Sequence, residues 1–188
     1  MKAAFALSLA SIAAAMPTAR NTQATKFTGL AIHSGSEIQY LSVNADQLSL
    51  WLGRDTSTYC PEQAGVNCPS SPPPTAFVHG ADSDGLSMST TVPGGQICYV
   101  DAAGNLKFTQ AHSANTGEGS YLTGFSIDSD NHLQFQGQDW LACPASEEGQ
   151  YNVYASSIKG SNNSEGCIGF AFRTQEVVEG TSTAWQYN

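Results

Sequence analysis

In the run GFSIDSDNHLQFQGQDWLACP, residues 124–144, Asp128, Asp130 and His132 fall at every second position, a pattern in which oxygen and nitrogen ligands can gather around a metal ion. Asp82 with Asp84 and Glu147 with Glu148 add two more close carboxylate pairs, the raw material of glycosidase acid and nucleophile chemistry. His33, His79, His112 and His132 are the side chains that titrate nearest neutrality. Each reading meets a physical objection. An EF-hand loop begun at Asp128 requires Gly at its sixth place and Glu at its twelfth, where Leu133 and Asp139 stand. The carboxylate pairs sit in turn clusters, where acids serve solubility and local hydrogen bonding and do not face one another across a cleft. The histidines open, end or flank turns, positions that suit a solvated or hydrogen-bonded ring. The chain has no G-x-S-x-G elbow and no H-E-x-x-H helix, and a copper monooxygenase needs an N-terminal His where Met16 or Pro17 is expected. The expectation is no catalytic residue, no metal and no cofactor, with Ser129-Asp130-Asn131 a polar turn between two strands.

The elements that position these groups are strands. Apolar residues alternate along TGLAIHSG (Leu30, Ile32), LSLWLG (Leu48, Leu50, Leu52), LKFTQ (Leu106, Phe108), HLQFQG (Leu133, Phe135), YNVYAS (Tyr151, Val153) and CIGFAFRT (Ile168, Phe170, Phe172). Turn clusters such as HGADSDG, VPGGQ, DAAGN and KGSNNSEG separate them at the spacing typical of sandwiches and barrels. The predicted fold is all-β: one antiparallel sandwich or barrel of about ten strands, stapled by disulfides, with a helical turn considered only at NADQL. CPSSPPPTA reads as an ordered surface loop, because strand signals continue on both sides of it.

The opening MKAAFALSLASIAAA places one Lys before a short apolar run ending in three alanines, the signature of a secretory signal peptide over residues 1–15, with cleavage near Ala19 or Arg20 the other option. A run of roughly 13 apolar residues falls short of the ~20 a spanning helix needs. The β-domain would then occupy 16–188. All five cysteines follow this segment, so they are expected to meet an oxidising compartment. Cys60 is expected to pair with Cys68 and Cys143 with Cys167, although spacing alone leaves the pairing among Cys60, Cys68 and Cys98 open. No Cys-x-x-Cys or neighbouring histidine suggests zinc.

The formal charge of −9, with 7 scattered Lys and Arg, excludes a surface that tracks nucleic acid or anionic membrane. A binding role survives better than catalysis, with sugar stacking by the aromatics set against their use as core. An aromatic face matches the CH face of a pyranose ring. Trp51, opposite Leu50 and Leu52 on its strand, is the candidate stacking platform; Trp140 reads as core and Trp185 lies in a polar tail. Asn162-Asn163-Ser164 is the single N-glycosylation sequon found, and its turn setting marks Asn162 for modification.

LAIHSGSEIQY near the start, with GFSIDSDNHLQFQGQDWLACP, YNVYA and GCIGFAFRTQEV, resembles the fungal cell wall protein PhiA family of small secreted proteins. The latter half resembles, more distantly, the C-terminal domain of PIR cell wall mannoproteins. The strong motifs cover residues 27–43 and 121–178, and the stretch 54–120 matches loosely. The resemblance implies a secreted, non-catalytic wall protein in a family that includes allergens and is associated with phialide and conidium development. It also implies a Cys143–Cys167 bridge and a hairpin at SIDSDNHLQF. The N-terminal repeat through which PIR proteins are joined to glucan is missing here, so Gln134, Gln136 and Gln138 are expected to be strand-surface residues and the partner, wall polysaccharide or wall protein, to be held non-covalently. A secreted effector acting on a host surface is the alternative role.

Overall fold

The computed structural model describes residues 24–63, 65–158, 166–178 and 180–188. The first seven strands are β1 (Thr25–Ile32), β2 (Asn44–Asp46), β3 (Ser49–Leu52), β4 (Thr58–Tyr59), β5 (Phe77–His79), β6 (Leu86–Met88) and β7 (Ile97–Val100). Then come β8 (Leu106–Phe108), β9 (Phe125–Ile127), β10 (His132–Phe135), β11 (Trp140–Pro144), β12 (Tyr151–Ala155), β13 (Ile168–Glu176) and β14 (Gln186–Tyr187). No helix occurs among the described residues. Among the described residues fourteen strands replace the expected ten, because several, such as β2, β4 and β14, are two or three residues long, too short for alternation to register.

One antiparallel sheet holds twelve of them, in the order β1-β5-β6-β7-β8-β3-β12-β11-β13-β10-β9, with β2 on β3. A second seam joins β13 back to β1 from Phe27↔Glu176 to Ile32↔Ala171, so the path from β1 through β11 and β13 returns to its start. Nine strands lie on that loop, and an odd number of locally antiparallel strands cannot alternate around a regular barrel. The sheet must therefore bend and coil as it closes. β4 and β14 form a separate two-stranded ladder.

A single apolar cluster fills the wrap, and its largest members are aromatic. Rings run in series: Phe27 lies 5.6 Å from Phe77, Phe77 5.7 Å from Phe172, Phe172 6.2 Å from Trp140, and Trp140 6.4 Å from Phe125. Leu50, Leu52, Leu106, Phe108, Leu133, Phe135, Val153 and Phe172 are fully buried, as alternation required. In β1 the inward face differs from the expected one. Phe27, Gly29 and Ala31 point in, while Leu30 and Ile32 are half-buried on the other face. The reason is Phe172, whose ring occupies the space above Gly29 that any Cβ there would fill.

Two turns correct further readings. NADQL is no helical turn: Gln47 and Leu48 take φ of 52° and 57° and form the two-residue turn of the β2–β3 hairpin, which twists with its strands only when both residues are left-handed. Likewise Gln136 (φ 52°) and Gly137 (φ 71°) turn the chain between β10 and β11, so only Gln134 of the three glutamines lies on a strand. The SIDSDNHLQF segment pairs as a hairpin, Leu133↔Ile127 through Phe135↔Phe125.

The disulfides join Cys60 to Cys68 and Cys143 to Cys167. Ala142 faces Ile168 across β11 and β13, and one step further puts Cys143 opposite Cys167, so that bridge ties strands already paired. Cys98 is free and fully buried, its sulfur 3.3 Å from Met88 Sδ, and burial pushes its thiol pKa up strongly. The C-terminus is locked by a buried polar contact. Gln96 donates from Nε2 to Thr109 O and Tyr187 O, each at 2.9 Å, and its Oε1 accepts from Tyr187 N at 2.8 Å. The Tyr187 hydroxyl donates to Pro74 O and accepts from Ala76 N, both at 3.0 Å.

Three outcomes follow from this packing. Gly29→Ala should lower stability by roughly 1–3 kcal/mol through overpacking, and Phe172→Leu should recover part of that loss in the double variant, read from denaturant midpoints. Without reductant, a thiol reagent should label no cysteine in the native protein and one per chain after unfolding, because a buried neutral thiol does not react. Burial pushes the Tyr187 phenol pKa up to about 12, and hydrogen bonding to Glu37 leads the causes that push Tyr151 to about 12. Both phenols keep their protons longer folded than unfolded, so their contribution is complete below about pH 10 and is lost as pH rises toward 12. Thermal midpoints should fall across that alkaline window, and less steeply in Tyr187→Phe.

Candidate functional site

The groups singled out for chemistry are mostly engaged in holding turns. Asp128 Oδ1 accepts from the backbone N–H of Asp130 (2.9 Å) and His132 (2.8 Å), while Oδ2 lies 3.6 Å from His132 Nδ1. Asn131 takes φ of 62° to complete this Asx turn of the β9–β10 hairpin. Among the described residues, no three His, Cys, Asp or Glu side chains are grouped to hold a metal ion. Asp84 acts through its backbone, its carbonyl accepting from Gly124 and Phe125 and docking the hairpin onto the start of β6. His79 is buried with Nε2 3.3 Å from Phe125 O, and the His33 ring meets Gly169 O. His112 sits in a loop with φ of 62°. Trp140 is fully buried and donates to Leu133 O at 2.7 Å. Asn162 and its sequon lie outside the described residues.

Trp51 leads to a different arrangement. Its indole N–H donates to Asp46 O at 2.7 Å, and the Arg54 guanidinium lies 3.8 Å from the ring centroid, in cation–π contact. That face of the indole is therefore closed to a sugar ring. Arg54 in turn donates from Nη1 to Asp46 Oδ2 (2.7 Å) and from Nε to Gln150 Oε1 (2.6 Å), and Gln150 Nε2 donates to Glu147 Oε2 (2.8 Å). Four polar side chains thus form one line, Asp46–Arg54–Gln150–Glu147. What brings the two ends together is a close backbone approach. Gly53 (φ 76°) abuts Gly149, and a Cβ at Gly53 would collide with the Gly149 carbonyl.

This line walls a recess of about 490 Å³ that also takes in Gln47, Asp55, Thr56 and Ser57. Asp55 and Thr56 also line a second recess, of about 530 Å³, bounded by Asn44 and Pro72–Pro74. Pro72 and Pro73 then line a third, of about 170 Å³, which holds Tyr59 and Trp185. The segment from Asp55 to Cys60 borders all three. It is firmly held: Ser57 N donates to Ala45 O (2.8 Å), Asn188 N to Ser57 O (3.1 Å), and Thr56 Oγ1 is 2.8 Å from the buried Thr75 Oγ1. The Tyr187 hydroxyl fixes Pro74, and the Cys60–Cys68 bridge fixes the loop that brings the prolines round. Tyr59 is 51% exposed, and Trp185, in the polar C-terminal segment, is half-buried there, its carbonyl accepting from Val92 N.

Sequence reasoning missed Arg54, Gln150 and Tyr59. The Trp51-x-x-Arg54 spacing across a glycine turn was a legible signal for the first. Gln150 had none, being 96 positions from Arg54.

Comparison with known proteins places the chain in a family. Residues 27–188 match the family described as PhiA-like secreted protein. An uncharacterized secreted protein of Arthroderma benhamiae is 36% identical over 168 residues, covering 84% of this chain and 83% of the relative. Cell wall protein phiA of Aspergillus niger is 32% identical over 171 residues, 88% of each chain, and that of Aspergillus fumigatus 28% identical over 187 residues, 96% of each. No solved structure matches. On the strength of the match from residue 27 to the last residue, this chain belongs to the PhiA-like secreted protein family.

Proposed function

We propose that this protein is a non-catalytic structural component of the fungal cell wall, exported by a signal peptide over residues 1–15 and held in the wall without a covalent link. The observation that carries the reading is near full-length similarity to proteins named cell wall protein phiA. The side-chain geometry supports it. Asp128 is engaged in a turn, Arg54 neutralises Asp46, and Glu147 is bonded to Gln150, so these carboxylates serve as acceptors in fixed networks. General acid chemistry would need a carboxyl pushed upward by burial beside a facing partner. A structural or developmental role in phialide and conidium formation follows from the same family resemblance.

Fractionation tests the reading. The source organism's washed walls should retain the protein against buffer and release it to hot detergent, with or without reductant. Release only by glucanase digestion would show a covalent link, and recovery almost wholly in culture fluid would favour a secreted effector.

A further inference from the structure

The three adjoining recesses share one feature that turn stability does not require: polar hydrogen-bonding side chains at one end and two aromatics, exposed Tyr59 and half-buried Trp185, at the other, along a rigid edge. Even fully extended, the six residues from Asp55 to Cys60 would span about 20 Å, the length of several sugar rings in a row. At the Arg54 end the walls are carboxylate, amide, guanidinium and hydroxyl groups, the donors and acceptors that read sugar hydroxyls. At the other end Tyr59 and Trp185 line the recess beside the proline loop, and aromatic rings are the groups that pack on the apolar side of a pyranose.

We propose that this edge, from Glu147 and Gln150 past Arg54 and Thr56 to Tyr59 and Trp185, binds a linear uncharged glucan chain. The inference rests on the wall reading above and names what the wall offers it. Charge selects the class: Asp46, Asp55 and Glu147 against the single Arg54 repel an anionic polysaccharide. The lining selects within it. The Arg54 end has no apolar side chain to receive the methyl of an N-acetyl group, which favours glucan over chitin. The site is preorganised, because the Arg54 network and the anchored Asp55–Cys60 segment hold their geometry before any sugar arrives.

Calorimetric titration of the purified full-length secreted protein with laminarihexaose, cellohexaose and chitohexaose tests this. Binding of at least one glucan hexamer, in preference to chitohexaose, is expected. Tyr59→Ala should weaken it by about tenfold, the loss of one aromatic stack. Ser71→Trp, which fills the aromatic recess from an exposed position and removes no packing, should abolish it while leaving the thermal midpoint unchanged. Tyr40→Ala, at a tyrosine 68% exposed outside the recesses, should change nothing. Absence of glucan binding at millimolar concentration, preference for chitohexaose, or binding indifferent to both Tyr59→Ala and Ser71→Trp would overturn the inference. A protein that stays with washed walls yet ignores both glucans would sink this site and leave the wall reading standing.

Discussion

The seam between β1 and β13 is the constraint on which the rest of the structure depends. It joins residues 27–32 to residues 171–176, across nearly the whole described chain, and gives β1 a partner on both sides. Without it the sheet would have two long open edges, a template for association with other chains. The seam closes because Gly29 has no side chain and Phe172 fills the vacancy, so the backbone pairs while the ring reaches Phe77 and Trp140. One small residue and one large one, on neighbouring strands, set how tightly the sheet can wrap.

The acidic side chains follow a common logic that bears on function. Asp101 and Asp128 each accept two backbone N–H groups through one oxygen, and such local bonds hold the hairpins that a chain of short strands needs in number. An acid used this way serves the local backbone, and its second oxygen reaches no further than a neighbouring strand residue, Lys107 for Asp101 and His132 for Asp128. The Arg54 line differs because it joins two separated stretches of chain, the β2–β3 hairpin and the β11–β12 turn, and opens onto a recess. That contrast separates a surface that merely stays soluble from one that presents an ordered set of hydrogen-bonding groups.

The two ends of this edge are also held by different means. The Arg54 end is fixed by charge-assisted bonds and a glycine contact. The aromatic end is fixed by buried polar contacts at Gln96 and Tyr187, by the β4–β14 ladder, and by the Cys60–Cys68 bridge. Rigidity from several independent sources is what a binding edge on an irregular segment requires, since loops are otherwise the mobile part of a domain.

Alternation of apolar residues, visible in the chain as written, determined the all-β class and nearly all of the inward faces, because side-chain period in a strand is set by local backbone geometry. The turn at Asp128–Asn131 was legible for the same reason: an Asx turn is made by residues within a few positions of one another. Only the tertiary structure decided that β1 faces inward with Phe27 and Ala31, since the deciding ring, Phe172, lies on a strand more than a hundred residues away. It also decided that Gln47 and Leu48 are a hairpin turn, because the pull of paired strands outweighs a weak helical preference. The Arg54–Gln150 contact and the Tyr59–Trp185 recess were illegible for the deepest reason: their members lie far apart in the chain, and only the β3–β12 pairing and the β4–β14 ladder make them neighbours.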